Sequence, residues 1–290
     1  MWIPDNGTKK YISYDGPLPS SLYRYRSVSP KNIERLIDFE IAEEAIFLAG
    51  LKDLNDPDEG RFTINFGEDY NEILKYWQRA IARTHPELPF LDVFMQAKSN
   101  ADQLVATDYL VPDGTIAYTR DVLEQLVRVA CFTTQPTNYS MWANYAKQFD
   151  ENGSALDHGG ICIEYQCDEG WRSTTLHPVA YADLVPEISV TKEYESELVR
   201  AMYSKAREWR CENEWRITSI IDARPPFPAN LTGNSQMKIA GAVQSVIFGL
   251  KATDSMMNMF ISRLKPVRPN LLFKRVVRDA RTFERKLALL

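Results

Sequence analysis

Hydrophobic and polar positions along this chain change rhythm every ten to twenty residues, and each change predicts an element. Ser21 to Ser27 (SLYRYRS) alternates aromatic or apolar residues with basic ones, the period of a short strand. After Ser29-Pro30, Ile33, Leu36, Ile37 and Ile41 form a helical stripe, and proline suits the first helical position. Ala45 to Ala49 (AIFLA) reads as a buried strand running into Leu54-Asn55-Asp56-Pro57-Asp58, whose Asn, Asp and Pro mark a turn. Two helical stretches follow, one striped by Ile73, Leu74, Trp77, Ala80 and Ile81, the other begun by Leu91, Phe94 and Ala97.

Arg120 to Arg128 reads as a further helix and Val127 to Thr133 as a strand. Tyr139 to Ala146 is helical with Ser140 as a candidate cap. Gly159-Gly160 introduces the strand Ile161 to Tyr165, and Pro178 to Tyr181 gives another. A charged helix is predicted over Val190 to Glu208, then a strand over Glu214 to Ile221, ended by the prolines of Arg224 to Pro228. Val243 to Gly249, a helix over Ser255 to Leu264 and C-terminal strands complete the chain. There is no internal repeat, no low-complexity linker and no βαβ rhythm. The expectation is a single α+β domain over residues 1–290, built on a mixed or antiparallel sheet, with a helical insertion from Glu68 to Val127.

Composition adds exclusions. With 44% hydrophobic and 25% charged residues the chain is neither disordered nor fibrous. No run of 18 apolar residues exists, and Met1 to Lys10 lacks the apolar core of a secretion signal, so a cytoplasmic protein without a membrane span is expected. The net charge of -5 excludes a globally basic nucleic-acid binder. Charge is unevenly spread, however: Arg263 to Leu290 carries nine Lys or Arg against Asp279 and Glu284. Such a tail suits nucleic acid or an acidic partner, or else edge strands whose charged faces prevent pairing; the second is favoured. Cys131, Cys162, Cys167 and Cys211 form no CxxC pair and read as reduced thiols. His85, His158 and His177 are too dispersed for a histidine-rich metal site.

Nucleotide-loop, metalloprotease, nucleophile-elbow and kinase motifs are absent. Five clusters carry the remaining chemistry. Arg24 and Arg26 share one face of a strand and Tyr23 and Tyr25 the other, so two guanidinium groups about 6–7 Å apart suit a phosphate or pyrophosphate. Asn55-Asp56-Pro57-Asp58-Glu59 is either an acidic ligand set or an Asx turn. Met141, Trp142 and Tyr145 form an aromatic helix face, a wall for a planar ligand or part of the core. Gly159-Gly160 opens a strand. In Trp209 to Arg216, the pair Glu212-x-Glu214 opens another strand between tryptophans and arginines. Strand alternation aims both carboxylates at one site, able to accept a sugar hydroxyl and stabilise a developing cation. Surface Glu–Arg bridges of little energetic weight are the equal alternative.

In this order the clusters resemble an uncharacterised, mostly bacterial family, the domain of unknown function numbered 2971. The resemblance runs through Leu22-Tyr23-Arg24-Tyr25-Arg26-Ser27, Asn32 to Phe39, Asn55-Asp56-Pro57, Cys131-Phe132-Thr133, Met141-Trp142 with Tyr145, and Gly160 to Tyr165. It continues through Lys205, Trp209, Glu212-x-Glu214-Trp215-Arg216 and Ile247-Phe248-Gly249. More distantly, the opening strand–helix–strand layout is similar to that of ADP-ribosyltransferase-like proteins.

That second resemblance implies a fold of that kind and an NAD-consuming enzyme, a toxin or phage-defence effector that modifies a macromolecular acceptor. Arg24 and Arg26 would hold the pyrophosphate of the nucleotide, Tyr25, Trp142 or Tyr145 would stack on a ring, and Glu212 and Glu214 would be catalytic. Phe47-Leu48-Ala49 does not match the family's middle motif, nor does LYRYR match its usual first strand. Two alternatives stand beside it. One is a metal-dependent nuclease using Asp56, Asp58, Glu212 and Glu214. The other is a non-catalytic binding module that meets a partner through Lys274, Arg275 and Arg278.

Overall fold

The computed structural model describes residues 16–109, 111, 113–189, 191, 201–220, 236–238 and 242–290. Nine strands build the main sheet: β1 (Ser21–Arg26), β2 (Ala49–Gly50), β3 (Val127–Thr133), β4 (Ile161–Gln166), β5 (His177–Pro178), β6 (Glu214–Ile220), β7 (Val243–Phe248), β8 (Leu272–Arg278) and β9 (Arg285–Leu289). Across the sheet they run β9-β8-β7-β4-β1-β3-β6-β5, and β2 pairs with β3. All neighbours are antiparallel except β7 and β8. That parallel pair needs a crossover, and helix α6 (Asp254–Leu264), capped by Thr253, lies on the connection. The architecture is α+β with one large mixed sheet.

Register divides the chemistry between two faces. Tyr23 lies opposite both Glu164 and Thr133, and Thr133 lies opposite Glu214, so these side chains share one face. Leu22, Arg24 and Arg26 must then point to the other. The Arg24 face packs Leu22, Ala130, Phe132, Ile161, Ile163, Ile217 and Val246 beneath Leu36, Ile37 and Ile41. The predicted helix after Pro30 does form, but as a short turn, α1 (Ile33–Arg35), that widens into a π-helical segment, Leu36–Ala42.

The stretch expected as a helical insertion holds α2 (Tyr70–Thr84, capped by Asp69), α3 (Phe90–Ala106) and α4 (Asp113–Leu126). Ile73, Ala101, Leu104 and Leu123 pack against Val127 and Val129 of β3, on the same face as Glu214. Helix α5 (Tyr139–Tyr145) covers the neighbouring part of that face, but its cap is Asn138, not Ser140: the Asn138 side chain accepts from the Met141 N–H.

Two predicted elements are divided. Within Ala45 to Ala49, Ala45–Phe47 pairs with Gln236–Lys238 while β2 turns to β3. The strand expected over Pro178 to Tyr181 is split between β5 and Ala180–Ala182. In the predicted helix Val190 to Glu208, the end is instead a short strand, Ser204–Ala206, pairing Ala180–Ala182, followed by the 3-10 turn Arg207–Glu212. Pairing with this distant strand, in a two-stranded ladder apart from the main sheet, overrides the local charge periodicity here. Val190, residues 192–200, and Arg224 to Pro228 lie outside the described residues.

Gly160 shows why a glycine pair opens β4. A Cβ at this position would meet the Arg26 carbonyl oxygen at 2.5 Å and the Ala146 carbonyl carbon at 2.7 Å. The Gly160 N–H donates to that Ala146 carbonyl at 2.8 Å, holding α5 against β1 and β4. Gly160→Ala is expected to cost about 1–3 kcal/mol through backbone displacement, read as a lower urea midpoint at unchanged slope.

Candidate functional site

The carboxylates Glu212 and Glu214 do converge, though by a different route from strand alternation. Glu212 ends the 3-10 turn, and Asn213 takes a left-handed backbone (φ 43°), a conformation asparagine tolerates. This reversal feeds β6 and leaves both acids reaching one lysine. Lys205 Nζ donates to Glu212 Oε2 at 2.7 Å and to Glu214 Oε2 at 3.2 Å. Its ammonium sits 4.6 Å from the centre of the Trp209 ring. The Thr133 hydroxyl donates to the Glu212 carbonyl at 2.6 Å, fixing the turn to β3.

Glu214 is held by Arg216, two residues along the same strand face. Arg216 Nε donates to Glu214 Oε1 at 2.7 Å and Nη2 to Oε2 at 3.0 Å. Its remaining N–H groups go to both oxygens of Glu59 and to the Met202 carbonyl. All five guanidinium donors are therefore used, on a side chain with no solvent exposure. The Glu–Arg bridges expected at the surface are interior ones. Removing one partner would leave an uncompensated buried charge.

Around Glu212 the arrangement is less saturated. Oε1 accepts from the Tyr145 hydroxyl at 2.7 Å, and the Asn55 amide donates to that hydroxyl at 3.4 Å. Tyr145, Trp209 and Tyr181 are half-buried and Asn55 is exposed, so they form the solvent side of a carboxylate centre. The Tyr181 hydroxyl accepts from the Glu214 backbone N–H at 2.8 Å, and burial raises its pKa to about 12.

Burial would raise the Glu214 carboxyl, but the charge and hydrogen bonds of Arg216, with Lys205, outweigh it and bring the pKa to about 2. For Lys205 burial acts downward and the two glutamates outweigh it, so the ammonium is held above its ordinary value. The Cys131 thiol is pushed up by burial first and by the Glu214 charge second, which leaves it protonated and unreactive.

A stability prediction follows from Glu214. Its folded pKa lies below the ordinary unfolded value, so its contribution is present above that value and lost as pH falls toward 2. The loss amounts to ~3 kcal/mol. Glu59, which burial pushes upward despite Arg216, works in the opposite sense and trims the net effect. Urea melts between pH 5 and pH 2 are expected to fall steeply in the native chain and less steeply in Glu214→Gln.

Other predicted residues lie elsewhere. Trp142 is fully buried, its indole N–H donating to the Pro136 carbonyl at 2.9 Å. It packs edge-on against Tyr25 at 5.0 Å, and Tyr25 donates to the Gln135 carbonyl at 2.7 Å. These two rings are core. They brace the loop that starts α5, and so position Tyr145 without offering a stacking face. Arg24 and Arg26 are on the opposite face of the sheet, where Arg24 donates to the Phe47 carbonyl at 2.5 Å and Arg26 pairs with Glu40 at 2.6 Å. They do not share a cleft with Glu212 and Glu214, because strand alternation separates them from Tyr23.

The acidic quartet proposed for metal is not assembled. Asp56 makes an Asx turn by accepting from the Asp58 N–H at 2.9 Å, Asp58 is exposed beside Arg61, and the oxygens of Glu214 are already paired. Among the described residues no three His, Cys, Asp or Glu side chains are grouped to hold a metal ion.

In the C-terminal strands Lys274 pairs with Glu164 at 2.6 Å and Arg275 donates to the Leu250 and Ala252 carbonyls, while Arg278 is exposed. Arg285 stacks over Tyr139 and Lys286 pairs with Asp279. Much of the basic charge is therefore used within the chain. The described thiols Cys131, Cys162, Cys167 and Cys211 form no disulfide. Among the described residues no helix is long and apolar enough to cross a membrane.

The pairing of Glu59 with Arg216 is the relation that the sequence did not show. The sequence offers Glu59 only as the last residue of the acidic run from Asn55, a ligand set or an Asx turn, and nothing in its local spacing points to Arg216. Comparison with protein-family models, curated proteins and solved structures finds no match to this chain.

Proposed function

We propose that this chain is an NAD-consuming enzyme of the ADP-ribosyltransferase-like kind, with Glu212 as the carboxylate that meets the ribose. The observation that carries the reading is the Glu212 centre itself. Its two oxygens are held by Lys205 and Tyr145 at 2.7 Å each, beside half-buried aromatic rings and an exposed asparagine. A carboxylate oriented by fixed donors stabilises positive charge without reorganising as the reaction proceeds. In this reaction the bond from ribose C1′ to the nicotinamide nitrogen breaks, and nicotinamide leaves with the electron pair. The oxocarbenium-like carbon is then captured by water or by an acceptor nucleophile.

Glu214 is given a different part from the one its motif position suggests. Clamped by Arg216, it fixes Lys205 and through it Glu212. The Arg24–Arg26 pair has no part in this reading, and the pyrophosphate would be met from the Asn55, Tyr145 and Trp209 side.

The saturation of Arg216 favours a second reading, a non-catalytic module in which Glu59, Arg216, Glu214, Lys205 and Glu212 staple a loop to the sheet. Nicotinamide release from NAD, followed chromatographically with and without a cell lysate as acceptor source, separates the two. Time-dependent release supports the enzyme; none above background in either condition leaves the staple.

A further inference from the structure

The arginines excluded from the carboxylate site form a cluster of their own. Arg24 and Arg26 project from β1 toward the π-helical segment, which supplies Glu40, while Arg35 comes from the turn before it. Phe47 joins the group: its carbonyl accepts from Arg24, and its ring carries the Arg35 guanidinium at 4.7 Å. Tyr165 of β4, opposite Leu22, completes it on the same sheet face.

The charges do not balance. Among the described residues three guanidinium groups, Arg24, Arg26 and Arg35, gather here beside one carboxylate, Glu40, which is paired to Arg26. Nor do the hydrogen bonds close. Among the described residues, Arg24 Nη1, Arg26 Nε and Arg35 Nε are buried donors without a partner, and Glu40 Oε2 and the Tyr165 hydroxyl are equally unpartnered. Arg24 is 6% exposed, Tyr165 1% and Glu40 0%. Buried charged groups left in this state are costly, and interiors rarely keep several together without a bound ion or water to satisfy them. Burial, with Arg24 and Arg35 adding to it against Glu40, brings the Arg26 pKa down to about 10. Arg35 and Phe47 are half-buried and give the cluster an edge toward solvent. A π-helical turn in such a place commonly accompanies a functional site.

We infer that this cluster binds inorganic phosphate as the hydrogenphosphate dianion. Two negative charges match the excess of two cations. The three free guanidinium N–H donors suit the oxygens of the anion, since guanidinium is the favoured partner of phosphate. The decisive group is Glu40. Its free Oε2 can only accept, and hydrogenphosphate carries the one P–OH that can donate to it. Sulfate is a dianion of the same shape without that proton, and a phosphomonoester dianion lacks it too. The site is independent of NAD chemistry on the other sheet face.

The experiment is calorimetric titration of the full chain at pH 7.5 with inorganic phosphate, sulfate and methyl phosphate, together with thermal melts in phosphate-free buffer. Phosphate is expected to bind one to one, and sulfate and methyl phosphate at least about tenfold more weakly, because a buried acceptor is left unpaired. Glu40→Gln is expected to narrow that gap. Arg35→Gln, at the solvent edge, is expected to weaken phosphate about tenfold while the phosphate-free melt stays where it is. Arg24→Met is expected to abolish the phosphate response and to raise the phosphate-free melting temperature, since it removes an uncompensated buried cation. No saturation by phosphate at millimolar concentration, equal binding of sulfate, or an unchanged affinity in Arg35→Gln would each overturn the assignment.

Discussion

Arg216→Met is expected to destabilise the chain by about 3–5 kcal/mol, the cost of breaking a buried ion pair from one side. The side chain has no exposure and gives all five donors to Glu59, Glu214 and the Met202 carbonyl. Methionine fills a similar volume, so lost packing is a small part of the effect. What remains is a pair of carboxylates in the interior, of which Lys205 contacts only Glu214. Both acids would then titrate above their ordinary unfolded values near 4.3. Their contribution is present below that value and lost as pH rises through the raised folded values. The deficit relative to the native chain is therefore expected to be larger at pH 8 than at pH 5 in urea melts. Adding Glu59→Gln and Glu214→Gln to Arg216→Met is expected to recover part of it, because the three residues act as one unit. A deficit below 1 kcal/mol that does not change with pH would mean the network carries little energy.

Glu212→Gln is expected to lower nicotinamide release by about 10²–10³-fold, the usual effect of removing one preorganised electrostatic partner. Glutamine keeps the shape and can still accept from Tyr145, and Lys205 keeps Glu214 at 3.2 Å. The melt is therefore expected to shift by only about 1–2 kcal/mol. Glu214→Gln should differ in kind, losing stability and turnover together, because its loss loosens Arg216 as well as Lys205. Turnover and melts measured on the same preparations separate the two glutamates. A folded Glu212→Gln variant with native turnover would remove Glu212 from the chemistry.

Much of the fold was legible along the chain where local pattern and burial agree. The strands around Tyr23, Val129, Ile163, Ile217 and Val246 follow period-two or continuous apolar runs, and all lie in the main sheet. Helices over Tyr70–Thr84 and Asp254–Leu264 follow their apolar stripes. Where the reading fell short the cause is shared. Ser204–Ala206, expected as helix, is a strand by pairing with Ala180–Ala182, and the expected strand Ala45 to Ala49 is divided because Ala45–Phe47 pairs with Gln236–Lys238; no local periodicity contains those partners.

The candidate site divides in the same way. Local order already determined that Glu214 and Arg216 share a strand face, that Arg24 and Arg26 share another, and that Asp56 turns the chain. Those relations depend on spacing of two residues and on short side chains reaching their own backbone. Only the tertiary structure decided which of these faces meet. Strand order and register put Thr133 between Tyr23 and Glu214, brought Tyr145 to Glu212 over a sequence separation of 67, and carried Glu59 to Arg216 over one of 157. The same register sent the two arginines to the far side of the sheet. Side-chain alternation is a property of each strand alone, but the phase between strands is set by pairing and by what each face can bury.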